Sequence, residues 1–322
     1  MILQKWLHLL VILMLTAGMI AFAAEDQLVY ADDKQGSEKS SQHRPEWWQQ
    51  SFGRFGGCGE PGEDETPPAE DESDPNTPAM GSDGCGNREY PQSGTYTINV
   101  DGTERKYIVT LPDNYNPDKP YRLVFAWHGL GGTAERISNY YYGLERLANN
   151  SAIFAAGQGL DNNRGGAGWP NKDGQDVAFT KAMYEKLSSN YCIDEERVFS
   201  IGFSYGGIMS NTVGCEMGDV FRAIAPMSGS GPRNQQCIGQ VAAWVSHGNT
   251  DEIMPFKNGV KSRDHWLLEN NCGEQSTLTT PDPCFAYEHC DTGFPVHWCE
   301  YEGSHIIPDF SAEAIWQFFA QF

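Results

Sequence analysis

The chain has 322 residues, 22 Lys and Arg against 43 Asp and Glu, and a formal net charge of −21. Such a balance leaves no basic patch to hold a phosphate backbone, so nucleic acid is not an expected partner. Nine of the carboxylates lie between Glu60 and Asp83 with no Lys or Arg among them, leaving −12 for the rest.

Residues 1–23 read as a secretory signal: Lys5 starts it, Leu7 to Ile20 form an apolar core, and Ala21-Phe22-Ala23 is a small-x-small cleavage site. No other stretch is long and apolar enough to span a bilayer, so the mature chain is expected to be exported and free of the membrane. Residues 24–85 read as an acidic, Pro-rich linker, largely disordered, that cannot bury enough apolar area to fold. Trp47-Trp48 with Phe52 and Phe55 either form a sticky aromatic patch for polysaccharide or are unstructured or packed locally on the core.

Nine cysteines (58, 85, 192, 215, 237, 272, 284, 290 and 299) suit an oxidising compartment. No Cys-x-x-Cys pair or Cys/His cluster has zinc spacing, so they read as disulfides with one thiol left over. Cys192 precedes a strand and Cys215 ends the helix that returns from it, which predicts a Cys192–Cys215 bond. The same reasoning joins Cys237 to Cys272, with Cys290 as a competing partner for Cys272. Cys85, Cys284 and Cys299 stay unassigned, and Cys58 is taken as the odd one.

Residues 86–322 are expected to form one α/β domain. Thr95–Val100 and Arg105–Leu111 alternate as two antiparallel strands around Asp101-Gly102. Apolar runs follow at Arg122–Trp127, Ala152–Ala156, Val198–Ile201, Ala223–Met227, Val241–Ser246 and Val296–Tyr301. Helical segments are predicted at Thr133–Ala148, Asp176–Ser188, Tyr205–Gly214, Asn258–Glu269 and Ser311–Ala320. Strands alternating with helices imply a mostly parallel central sheet with helices on both faces, and catalytic groups collect at the carboxyl ends of such strands.

Four of those ends carry a residue that acyl transfer uses. Val198–Ile201 leads into Gly202-Phe203-Ser204-Tyr205-Gly206, a G-x-S-x-G turn between strand and helix that would present Ser204 as a nucleophile. Arg122–Trp127 leads into His128-Gly129-Leu130-Gly131-Gly132, whose N–H groups, with that of Tyr205, would hold an oxyanion; Leu130 and Tyr205 are the expected donors. Asp251 follows Val241–Ser246 and would orient an imidazole. His305 follows Val296–Tyr301 and is the candidate base. His247 reads as a structural hydrogen-bonder. The order Ser204, Asp251, His305 is that of the α/β-hydrolase fold.

With these residues in place, the chain resembles the secreted feruloyl esterases, relatives of polyhydroxyalkanoate depolymerases and acetyl xylan esterases. The stretches that carry the resemblance are Ser93–Ile98, Tyr107–Tyr115, Tyr141–Leu144, Gln158–Asp161, Gly174–Thr180, Gly202–Gly207 and Trp316–Phe319. The resemblance implies that Ser204, Asp251 and His305 are the catalytic set and that no metal or organic cofactor is used. It makes feruloylated plant cell-wall polysaccharide or oligosaccharide the substrate, cleaved by a secreted monomer. Acetyl xylan ester and short-chain polyhydroxyalkanoate are the alternative substrates. A carbohydrate-binding protein with a vestigial hydrolase fold is the alternative from outside the enzymes. Gly129 departs from the bulkier residue of many fungal members and bears on pocket shape. Tyr205 is expected to line the pocket, and Trp169 either stacks on substrate or fills the core.

Overall fold

The computed structural model describes residues 81–161, 166–233 and 236–322. The expected signal segment, Trp47-Trp48, Phe52, Phe55 and Cys58 lie outside these residues. The strands are β1 Gly94–Val100, β2 Thr103–Thr110, β3 Tyr121–Trp127, β4 Ala152–Gly157, β5 Leu160–Asp161, β6 Ala167–Gly168, β7 Ile193–Phe203, β8 Ala223–Met227, β9 Ala242–Gly248, β10 Ser276–Leu278, β11 Cys284–Tyr287 and β12 Val296–Tyr301. The α-helices are α1 Ala134–Ser138, α2 Leu144–Ala148, α3 Gln175–Asn190, α4 Tyr205–Glu216, α5 Lys257–Glu269 and α6 Ser311–Ala320.

Ten strands form one sheet in the order β1-β2-β4-β3-β7-β8-β9-β12-β11-β10, while β5 and β6 pair separately. The six from β4 to β12 in that order run parallel, and antiparallel pairs close both edges. Successive side chains of a strand face opposite sides of a sheet. In β3, Leu123, Phe125 and Trp127 enter one core, and Val124 and Ala126 enter the other. The first core is closed by Phe179, Met183 and Leu187 of α3, Met209 and Val213 of α4, and Trp266 of α5. The second is closed by Ile137 of α1, Leu144 of α2, and Ile315, Phe318 and Phe319 of α6. This is the α/β-hydrolase fold, with helices on both faces of a mostly parallel sheet.

Four expectations need correction. The predicted helix Thr133–Ala148 is broken at Tyr142 (φ 58°) and Gly143 (φ 86°), because both Tyr141 and Tyr142 turn inward and are buried. The hairpin β10–β11 was not expected, since it is built from three- and four-residue strands at the sheet edge, and β10 is exposed throughout. Residues 81–85, expected in the linker, belong to the domain: Gly81 bridges Asp194, Ser82 N–H donates to Ile193 O (2.8 Å), and Cys85 bonds Cys192. The disulfides also differ, being Cys85–Cys192, Cys215–Cys237, Cys272–Cys290 and Cys284–Cys299. Cys192 is taken by the N-terminal arm, so Cys215 pairs instead with the loop after β8, which returns so that Ile238 N–H reaches Cys215 O (2.7 Å). That leaves Cys272 for Cys290, the competing partner. Cys284 and Cys299 are register partners on β11 and β12.

Burial lowers the pKa of His128, His247, His265 and His297, the last to about 4. An unfolded imidazole takes a proton near pH 6.5 that the folded His297 refuses, so its contribution to stability is complete above that pH and lost as pH falls toward 4. Between about pH 7 and about pH 5, calorimetry should therefore show the wild type losing more Tm than His297→Gln, which has no ring to titrate.

Candidate active site

Ser204 sits between β7 and α4 with φ 59° and ψ −121°, backbone angles that cost a non-glycine residue on the order of 1–3 kcal/mol and that push its side chain out of the turn. The turn is held by Ser204 N–H donating to Met227 O (2.9 Å) and Ile208 N–H donating to Ser204 O (3.0 Å). Its two flanking glycines are sterically required. A Cβ on Gly202 would lie 2.1 Å from Gly206 O, and one on Gly206 would lie 2.0 Å from Trp127 O.

His305, on the loop after β12, reaches Ser204: its Nε2 accepts from Ser204 Oγ at 2.8 Å, while its Nδ1–H donates to Asp251 Oδ2 at 2.7 Å. Asp251, on the loop after β9, is 5% exposed, and its other oxygen accepts from the N–H groups of Ile253 (3.0 Å) and Met254 (2.8 Å). Both carboxylate oxygens thus have partners, as buried polar atoms require. His247 is buried and donates Nε2–H to Met254 O (2.6 Å), helping to hold the turn that carries Asp251. Ser204, His305 and Asp251, 101 and 54 residues apart in successive steps of the relay, are therefore brought into one hydrogen-bonded line.

The loop after β3 lies alongside. A Cβ on Gly129 would stand 3.6 Å from the Cβ of Ser204, so Gly129 borders the serine and leaves room there. Leu130, the next residue, is 43% exposed. Tyr205 opens α4, but its ring is buried in the core against Gly168, so it offers the site its backbone rather than its side chain. Trp169 differs from the expectation of substrate contact. It is 2% exposed, stands edge-on to Trp127, and donates Nε1–H to His128 O (2.8 Å). The core reading left open for it is the one observed.

Two tyrosines complete the scaffold and were not singled out from the sequence. Tyr142 donates to Trp127 O (2.7 Å) and accepts from Phe203 N–H (3.3 Å), tying the strand ends of β3 and β7 together. Tyr301 donates to Ile306 O (2.6 Å) and lies 3.3 Å from Ser228 Oγ, pinning the loop that carries His305. Tyr142 lies in one of the stretches that carry the family resemblance. Tyr301 had no signal beyond being the last residue of its strand. Among the described residues, one cluster has metal-ligand chemistry, Cys215, Cys237 and His265, and its two sulfurs are joined to each other.

Comparison with known proteins identifies the family. The Prolyl oligopeptidase family model matches residues 162–252, which hold Ser204 and Asp251. Feruloyl esterase D of Neurospora crassa is 34% identical over 272 residues, covering 76% of this chain and 91% of its own. The chain belongs to the feruloyl esterase family. Feruloyl esterase C of Emericella nidulans is 33% identical, covering 76% of this chain and 93% of its own. Among solved structures, acetyl xylan esterase from Aspergillus awamori superposes with a TM-score of 0.55 at 16% identity, over 70% of this chain and 99% of that one. A ferulic acid esterase gives 0.51 at 17% identity, over 71% and 96%. These two likenesses concern the fold. Family membership makes the protein a carboxylic ester hydrolase.

Proposed function

We propose that the protein hydrolyses hydroxycinnamoyl esters of plant cell-wall polysaccharide through an acyl-enzyme on Ser204. The observation that carries the reading is the unbroken relay from Ser204 Oγ through His305 to Asp251. His305 Nε2 takes the serine proton as Oγ attacks the ester carbonyl, and Asp251 stabilises the imidazolium so formed. The N–H groups of Leu130 and Tyr205 receive the oxyanion. His305 then gives its proton to the departing sugar alcohol, and water releases the acid by the same route in reverse order. No step calls for a metal or organic cofactor.

The relatives' names support a feruloyl acyl group. So does the rim of the site. Of the seven large apolar residues exposed among the described ones, Leu130, Ile253 (61%) and Ile306 (49%) sit on the loops that carry Gly129, Asp251 and His305. An aryl acyl group covers such a rim, whereas an acetyl group leaves it wet; burying it contributes roughly 25 cal/mol per Å². The four disulfides and the signal-like residues 1–23 support an extracellular enzyme.

Purified protein should release ferulate from methyl ferulate and from feruloylated arabinoxylan, measured by chromatography of the free acid. Turnover confined to acetyl esters would overturn the hydroxycinnamoyl assignment and leave the hydrolase in place.

A further inference from the structure

The oxyanion donors assigned above differ in how they are held. Tyr205 N–H is fixed by the helix it begins, but Leu130 N–H belongs to a glycine-rich loop that needs some other device. A trans peptide is planar, with the C=O of one residue and the N–H of the next pointing opposite ways. Whatever grips Gly129 O therefore aims Leu130 N–H.

The grip comes from His128. Its Nδ1–H donates to Gly129 O at 2.8 Å, beside a second donation from Gly132 N–H at 2.9 Å. The preceding carbonyl, His128 O, is held by Trp169 Nε1–H at 2.8 Å. Two consecutive peptide planes are thus locked on their carbonyl sides. The imidazole can donate from Nδ1 only as the Nδ1–H tautomer, and its surroundings enforce that form. Nε2 accepts from Gly159 N–H at 3.0 Å, with the Gln158 amide nitrogen 3.4 Å away. The ring is 1% exposed, and burial lowers its pKa, which keeps it neutral.

Gly159 is itself anchored to a buried ion pair. Arg105, 2% exposed, bonds Asp176, 0% exposed, at 2.8 Å and donates to Gln158 O at 3.4 Å. Asp176 is held in turn by Asn171 N–H (2.7 Å), and Gln158 Oε1 accepts from Ala134 N–H (2.9 Å) at the start of α1. A charged pair without solvent is an unusual thing to place behind a loop, and here it fixes the segment that selects the His128 tautomer.

We propose that His128 is a positioning residue for ester hydrolysis: as a neutral Nδ1–H imidazole it holds the Gly129 carbonyl away from Ser204, so that the Leu130 N–H faces the oxyanion. The proposal rests on the reading of Leu130 as a donor. It assigns His128 no contact with substrate and no proton transfer.

The test compares His128→Leu, which removes the donor, with His128→Asn, whose amide nitrogen stands near the Nδ1 position and restores it. p-Nitrophenyl acetate is the substrate, because its activated leaving group and small acyl group ask little of the acyl pocket. A phenylboronate, which forms a tetrahedral adduct with the serine, reports the oxyanion site directly. His128→Leu should lower kcat by about 100-fold with KM changed by no more than about threefold, and weaken boronate binding by a similar factor. His128→Asn should recover most of both. If His128→Leu does not fold, Trp169→Phe serves instead: the same lock loses one carbonyl partner, and kcat and boronate affinity should fall together at unchanged KM. A variant that folds, by its Tm, and keeps wild-type kcat overturns the proposal. So does an equal loss in His128→Leu and His128→Asn, or a loss of kcat with boronate affinity intact. Failure of the hydrolase reading looks different, since wild-type protein would then turn over p-nitrophenyl acetate no faster than its Ser204→Ala variant.

Discussion

Ser204→Ala is expected to lower kcat by about five to six orders of magnitude while leaving substrate affinity within a few-fold of the wild type. The change removes one oxygen and adds nothing that the turn must accommodate. Residue 204 keeps its place between β7 and α4 because its backbone bonds to Met227 and Ile208 hold it there. The variant should fold, because loss of the half-buried Oγ removes only its bond to His305. What is lost is the atom that forms the acyl-enzyme, and no other serine lies in line with His305 Nε2 among the described contacts. Residual rate would come from the oxyanion donors acting on water. Calorimetric titration of the variant with a feruloylated oligosaccharide, beside steady-state rates, separates binding from chemistry. A binding protein with a vestigial hydrolase fold would show equal affinity and no wild-type turnover to lose.

Asp251→Asn carries the second large effect, a fall of about 10⁴-fold in kcat at near-constant Tm. Oδ1 of the asparagine can still accept from Ile253 and Met254, so the loop keeps its shape. The amide nitrogen then takes the place of the oxygen that faces His305 Nδ1 at 2.7 Å. Two donors cannot face each other, so the imidazole moves its proton to Nε2 and presents an N–H to Ser204 where a lone pair is needed. The loss is one of tautomer and imidazolium stabilisation rather than of fold. Rates that fall less than about tenfold would mean that the Asp251 contact does not set the state of His305.

The parts of this site that could be read in the chain are those with a local cause. G-x-S-x-G is legible because Gly202 and Gly206 answer a steric demand within the turn itself. Asp251 and His305 are legible because a loop directly after an apolar strand has one place to go in a parallel sheet. The parts that were missed depend on long-range closure. Cys192 looks like a partner for Cys215 until the arm from Gly81 to Cys85 is seen to reach the same strand first. Tyr142 acts through a single hydroxyl on Trp127 O, and Tyr301, a local exception, does the same on Ile306 O five residues on; neither contact is marked by a motif. Trp169 follows a glycine-rich segment near the site, which suggested substrate; its Nε1–H is instead spent on His128 O. The hairpin β10–β11 gives little signal because its strands are only three and four residues long and the outer one, Ser276–Leu278, is exposed throughout. His128 was read only as the start of a glycine-rich loop, since its importance lies in which nitrogen carries the proton, and that is decided by Gly159.

The claim on which the mechanism stands is that the acyl group passes through Ser204 Oγ. Mixing the enzyme with excess p-nitrophenyl ferulate, quenching in acid within the first turnovers, and measuring the intact mass tests it most directly. One feruloyl group should be found on the protein, and digestion should place it on the peptide that contains Ser204. An enzyme that turns over with no covalent adduct, or that carries the adduct on another residue, would contradict the account.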